Sequence, residues 1–145
     1  MIAVDTNVLV HAHRRDSPFF GPARSALTEL AEGGGRWAIP WPVVAEFVCV
    51  TTHPKLFDRP STPDQAVRQI DAWAESPGLT LLGETATSWS LLRGALVAGK
   101  ITGPVVYDAR IAAICLAHGV RELWTVDRDY GRFPALRVRN PLIPA

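Results

Sequence analysis

Four stretches far apart in the chain each place one carboxylate where an apolar segment meets a turn or a helix: Asp5, Glu46, Asp108 and Asp127, the last followed two residues later by Asp129. Asp5 closes Ile2-Ala3-Val4 and opens Asn7-Val8-Leu9-Val10, and Asp127 closes Trp124-Thr125-Val126. Taken alone, an aspartate in such a place is explained as an N-cap or turn residue that accepts backbone N–H bonds. Glu46 is the only charged residue between Trp41 and Val50, and Val43, Cys49 and Val50 flank it at i−3, i+3 and i+4. That pattern predicts a buried helix, in which an ionised carboxylate needs an arginine, a hydrogen-bond network or a cation. Asp108 falls in the first turn of a helix predicted over Tyr107 to His118, where the dipole favours a negative charge. Ile111, Ala112 and Cys115 follow it at i+3, i+4 and i+7, so it continues the stripe that this helix buries.

Each of these residues has an ordinary structural explanation, but all of them together ask for a common one. Carboxylates that converge raise one another's pKa, and a divalent, oxygen-seeking cation removes that cost. Oxygen-only ligands of this kind suit Mg²⁺ or Mn²⁺, which accept a few carboxylates together with water and substrate phosphates. Zinc is poorly served: Cys49 with His53 and Cys115 with His118 are spaced for helix faces, but both cysteines lie in apolar runs and no close pair of thiolates exists.

The elements that position these residues alternate. Strands are predicted at 2–4, 37–39, 79–82, 123–126 and 136–139. Helices are predicted over 6–13, from Gly21-Pro22 to the stop at Gly33-Gly34-Gly35, over 42–52, 62–76 and 84–98, and over 107–118 with Gly119 as its stop. Thr62-Pro63-Asp64-Gln65 reads as a capping box. A turn over 127–131 precedes the last strand, and the tail 140–145 closes the chain. Strands alternating with helices predict a parallel sheet covered on both faces, with chemistry beyond the carboxyl ends of its strands.

Composition narrows the remaining possibilities. With 145 residues, 48% of them hydrophobic and 20% charged, one domain spanning 1–145 can bury a core. The net charge of +1 argues against charge-driven clamping onto nucleic acid or anionic lipid. No segment approaches the roughly 18 apolar residues of a membrane span, and two cysteines in apolar runs suit a reducing cytoplasm. A dinucleotide fingerprint, a Walker lysine motif and a G-x-S-x-G elbow are all missing. A phosphoryl-accepting signalling domain would want a lysine at a late strand end, and neither Lys55 nor Lys100 follows a strand.

Ile2-Ala3-Val4-Asp5-Thr6-Asn7-Val8-Leu9-Val10, Glu46, Val106 to Ala113 and Thr125 to Pro134 together resemble the PIN-domain ribonucleases over nearly the whole chain. The length and the ending Phe133-Pro134 through Asn140-Pro141-Leu142 are most similar to the VapC toxins of bacterial toxin–antitoxin pairs. The resemblance implies a three-layer α/β/α sandwich with a central parallel sheet, and an acidic pocket that binds Mg²⁺ or Mn²⁺ and cuts RNA endonucleolytically. By the same resemblance, Asp5, Glu46, Asp108 and Asp127 match the acidic quartet, Asp129 an additional acidic position, and Asn7 and Thr125 polar supporting positions. Asp5 and Asp108 are then the expected metal ligands, with Asp127 and Asp129 holding a weaker or second ion, and Glu46 a ligand or water-orienting base. Also implied are a homodimer and a cognate VapB-type antitoxin. Trp73 and Trp89 are candidates for contact surface or core, and Arg14, Arg15, Arg110, Arg128 and Arg132 for RNA phosphates. A non-toxin nuclease of this fold, or a catalytically silent RNA-binding or scaffold module, are the alternatives.

Overall fold

The computed structural model describes residues 1–144; Ala145, the last residue of the tail, lies outside them. Five strands, β1 (Ile2–Val4), β2 (Trp37–Pro40), β3 (Leu79–Leu82), β4 (Glu122–Trp124) and β5 (Arg137–Arg139), pair in parallel in the order β3-β2-β1-β4-β5. Six helices flank them: α1 (Thr6–His13), α2 (Phe20–Glu32), α3 (Trp41–Thr51), α4 (Pro63–Ala74), α5 (Ser88–Ala98) and α6 (Val105–Ala117). The chain steps from β1 outward to β2 and β3, then returns across the sheet to β4. Right-handed crossovers therefore put α1 to α4 on one face and α5 with α6 on the other, which makes the fold a three-layer α/β/α sandwich, as expected. Because strand order reverses between β1 and β4, a crevice opens there beyond their carboxyl ends, where open α/β sheets bind ligands.

The centre of the sheet is apolar on both sides, since parallel strands bury both faces: Ala3, Val4, Trp37, Ala38, Ile39 and Leu123 are almost completely buried. Phe47 of α3 fills the α-layer beneath, its ring edge-on to His13 at 5.3 Å and to Trp73 at 5.1 Å between centroids. Trp73 is thus packed against the core, whereas Trp89 is 63% exposed. The Thr62 capping box is present in full, with Thr62 Oγ1 accepting from the Gln65 amide and Gln65 Oε1 from the Thr62 amide. Gly119, with φ of 70°, turns the chain out of α6 in the left-handed region that a side chain would resist.

The structure differs from the sequence expectations mainly at element ends. Helix α5 starts at Ser88, not Glu84, because the Ser88 hydroxyl accepts from the Thr85 amide and Thr85 to Thr87 form a turn of their own. Helix α6 starts two residues early, at Val105, and β4 stops at Trp124. The turn after Asp127 is a short 3-10 helix, Arg128–Arg132. Two burial expectations fail. Glu46 and Cys49 are exposed: α3 is apolar nearly all round, but it buries only the stripe of Val43, Phe47 and Thr51. Arg14, expected as a phosphate contact, is buried, bonded to the Asp16 carboxylate, the Arg59 carbonyl and Ser61 Oγ, with its guanidinium 4.0 Å from the Phe57 ring centroid.

Candidate functional site

Asp5 leaves β1 at the switch point, where its amide still donates to the Trp124 carbonyl at 2.9 Å, and its side chain caps α1. One carboxyl oxygen accepts from the Thr6 amide at 2.8 Å and the other from Thr125 Oγ1 at 2.8 Å. Thr125 is itself buried and also accepts from Asn7 Nδ2 and the Asp127 amide, both at 3.0 Å. Asn7 Oδ1 takes the Val126 amide at 3.1 Å. Asp5, Asn7 and Thr125 thus form one network that ties the first turn of α1 to the loop leaving β4. Asn7 and Thr125 therefore stand where a support for Asp5 is needed.

The other carboxylates reach the crevice from separate elements. Asp127 caps the 3-10 helix by accepting the Asp129 amide at 2.8 Å, which holds the two side chains next to each other. Asp108 enters from the first turn of α6. One carboxylate oxygen from each of Asp108, Asp127 and Asp129 lies within 4.8 Å of the others. Asp5, Glu46, Asp108 and Asp127 share the lining of a pocket of about 230 Å³ with Thr6, Asn7, Val10, His11 and Val50. The structure therefore brings four of the expected acidic residues to one pocket, and Asp129, outside its lining, is grouped with Asp108 and Asp127. Larger clefts lie elsewhere, around His13, Arg15 and Trp73, without such a cluster.

The electrostatics are those of an unneutralised anionic cup. Burial pushes the Asp5 carboxyl up to about 6, opposed by its bonds from Thr125 and Thr6 and reinforced by the charges of Glu46 and Asp108. Asp108 is raised by burial and by Asp127, Glu46 and Asp129, against a downward pull from the Tyr130 hydroxyl. Glu46 is raised by partial desolvation, opposed by the Thr6 hydroxyl, although the residue as a whole is exposed. The ion pairs among the described residues, Arg14–Asp16, Arg68–Asp64, Arg110–Glu84, Arg137–Glu122 and Arg139–Glu122, involve none of these five carboxylates. A ring of hard oxygen donors without a cationic partner fits a divalent ion such as Mg²⁺ or Mn²⁺, because binding one would relieve the mutual repulsion.

Residues 2–136 match the sequence model of the PIN domain. The chain belongs to the PIN-domain family. Within that family its relatives carry the name VapC. It is 34% identical over 137 residues to Ribonuclease VapC48 of Mycobacterium tuberculosis, covering 94% of each chain, and 33% identical over 142 residues to Ribonuclease VapC43 of the same organism, covering 98% of this chain and 96% of that one. This PIN domain also superposes on VapBC2 from Rickettsia felis bound to a DNA fragment from its promoter, with a TM-score of 0.69 at 22% identity and coverage of 97% and 98%. VapC20 of M. tuberculosis, a toxin that cleaves the sarcin–ricin loop, superposes with a TM-score of 0.66 at 18% identity over 90% and 93% of the two chains. These two likenesses establish the shared PIN fold.

Sequence reasoning passed over two polar residues at the pocket of this PIN domain. Thr6 follows Asp5 directly, and its buried hydroxyl faces Glu46 without completing a hydrogen bond. His11 lines the pocket one helical turn beyond Asn7 and bonds Ser17 Oγ at 2.7 Å. Periodicity from Asn7 would have reached His11; nothing in the sequence marks Thr6 as belonging to a pocket. Of the arginines expected beside it, Arg110 is committed to Glu84, while Arg128 and Arg132 are exposed and form no ion pair among the described residues.

Proposed function

We propose that this chain, as a single catalytic domain, is the endoribonuclease toxin of a type II toxin–antitoxin pair and hydrolyses RNA phosphodiester bonds at the acidic crevice with Mg²⁺ or Mn²⁺. The observation that carries the reading is that Asp5, Glu46, Asp108 and Asp127 line one pocket and Asp129 groups with Asp108 and Asp127, with none of the five paired to a basic side chain among the described residues. Asp5, Asp108, Asp127 and Asp129 are the residues assigned to hold the cation. Bound there, it supplies neutralisation of charge developing on the phosphate and the leaving oxygen, and a lowered pKa for the attacking water.

The chain's own residues prepare that chemistry. The amide of Thr6 and the hydroxyl of Thr125 fix the rotation of the Asp5 carboxylate, so that it offers its free lone pairs without reorganising. Glu46, on the exposed flank of α3 with an elevated pKa, is placed to orient a water and accept its proton. Exposed Arg128, between Asp127 and Asp129 in the chain, and exposed Arg132 of the same 3-10 helix are the candidates for contacts with RNA phosphates. No protein nucleophile is required.

A VapB-type antitoxin is the proposed partner, supported by the toxin–antitoxin composition of the structures this fold resembles. A homodimer belongs to the same proposal, with exposed Trp89 as a candidate contact. Among the described residues no helix is long and apolar enough to cross a membrane; the cytoplasmic location is part of the proposal because RNA is the proposed substrate. The test combines two assays. Purified protein should cleave RNA with Mg²⁺ or Mn²⁺ and stop in excess EDTA, and its expression alone should arrest bacterial growth. Cleavage that persists in EDTA, or unimpaired growth with abundant folded protein, defeats the proposal.

A further inference from the structure

An acidic pocket that takes a polyanion has to offer it more than carboxylates. Of the residues lining this pocket, only Asn7 and His11 carry a side-chain N–H. The Asn7 amide is spent inside the network that holds Asp5, donating to Thr125 Oγ1 at 3.0 Å and to Asp5 Oδ2 at 3.5 Å. That leaves the imidazole of His11.

The His11 ring is held in place. Its Nδ1 lies 2.7 Å from Ser17 Oγ, and its edge meets the Phe19 ring, with 5.1 Å between centroids and 71° between planes. The tautomer follows from the hydrogen-bond pattern. Ser17 Oγ already accepts from the Phe19 amide at 3.1 Å, and among the described residues its own proton has His11 Nδ1 as its acceptor. The serine therefore donates to Nδ1, and the ring proton sits on Nε2. No hydrogen bond among the described residues reaches that nitrogen. Burial lowers the pKa of the ring, so it presents a neutral N–H. From Asp5 to His11 the helix rises about 9 Å, which sets the ring toward the end of the pocket away from the Asp5 carboxylate.

We propose that His11 is a substrate-binding residue whose Nε2–H donates to a non-bridging oxygen of the RNA phosphate next to the one being cut. The inference rests on reading the acidic pocket as a metal-dependent ribonuclease site. A flanking phosphate that enters the pocket leaves its hydration behind and faces an acidic wall; His11 supplies the hydrogen bond that water gave it outside. Ser17 and Phe19 orient the ring before RNA arrives, so little rotamer freedom is lost on binding. A contact made equally before and during bond breaking shows in KM and leaves kcat nearly unchanged.

The experiment measures steady-state cleavage of a mixed-sequence single-stranded RNA oligonucleotide in Mg²⁺ by the wild type, His11→Leu and His11→Gln. Mn²⁺ binding without RNA is followed by the EPR signal of free Mn²⁺. His11→Leu should raise KM about 10-fold or more, with kcat within about threefold and Mn²⁺ bound as in the wild type. His11→Gln, whose amide nitrogen reaches about as far as Nε2, should restore most of the KM. Ser17→Ala, which frees the ring, should raise KM in the wild type and cause no further rise in the His11→Leu background. An unchanged KM for His11→Leu, a loss confined to kcat, weakened Mn²⁺ binding, a glutamine variant no better than the leucine one, or a further rise from Ser17→Ala in the His11→Leu background would each overturn the proposal. A wild type that cleaves no RNA in Mg²⁺ overturns the reading of the site and this inference with it, whereas equal KM values in an active wild type and an active His11→Leu overturn the inference alone.

Discussion

Replacing Asp5 by asparagine should make the metal-free protein more stable while destroying its activity. The folded-state pKa of Asp5 stands at about 6 against an ordinary value of 3.8. Between those values the folded state binds more protons than the unfolded state, so stability falls as pH rises and the full cost is reached above pH 6. The difference corresponds to about 3 kcal/mol at neutral pH, undiscounted for solvent because the residue is 5% exposed. Asparagine removes that cost but turns an amide N–H toward Thr125 Oγ1, which already accepts from Asn7 and Asp127. Losing the Thr125 hydrogen bond returns about 1 kcal/mol or somewhat more. A net gain of about 1–2 kcal/mol is therefore expected at pH 7.5 in EDTA, shrinking toward zero at pH 5, where the wild-type carboxyl is itself protonated. Urea unfolding at the two pH values, followed by tryptophan fluorescence, measures it. RNA cleavage in Mg²⁺ should drop about a hundredfold or more, and Mg²⁺ should stabilise the wild type but not the variant. An Asp5→Asn protein less stable than wild type at pH 7.5 in EDTA, with an unaltered pH slope, would refute the claim that burial and neighbouring charge make this carboxylate costly to ionise.

Other consequences are as direct. Thr125→Val removes the donor to Asp5 and the acceptor of Asn7 and Asp127, and should lower stability at pH 7.5 by about 2 kcal/mol and cleavage by about 10- to 100-fold; an activity loss under twofold would show that the network is dispensable. Glu46→Gln should reduce kcat with little change in the urea midpoint, because the residue is exposed and has no ion pair to lose among those described; a large stability change would return it to the buried role that its neighbours in sequence suggest. Phe47→Ala should cost about 3–5 kcal/mol in chemical denaturation, since the ring is fully buried between His13 and Trp73.

The alternation of apolar triplets and quartets with helical periods fixed the sequence of elements, because strands buried on both faces and helices buried on one leave different periods. Local chemistry was equally legible: the Thr62 capping box and the Gly119 stop act within a few residues of themselves, and both form as read. Helix starts were less so, since Ser88 displaced the start of α5 by a bond that periodicity does not encode. The types and order of the acidic residues were also visible, down to Asn7 and Thr125 at either side of Asp5. Their convergence was not, because it depends on β1 and β4 becoming neighbours at the point where strand order reverses, 118 residues apart for Asn7 and Thr125. Tertiary structure alone decided which side of an apolar helix faces outward. Glu46 looked buried from its neighbours, yet the packing of α3 spends its burial on Val43, Phe47 and Thr51 and leaves Glu46 exposed beside the pocket. It also decided that Thr6 lines the acidic pocket: a hydroxyl carries no mark in the sequence of which distant charge it will face, since that is set by how the layers close over the sheet.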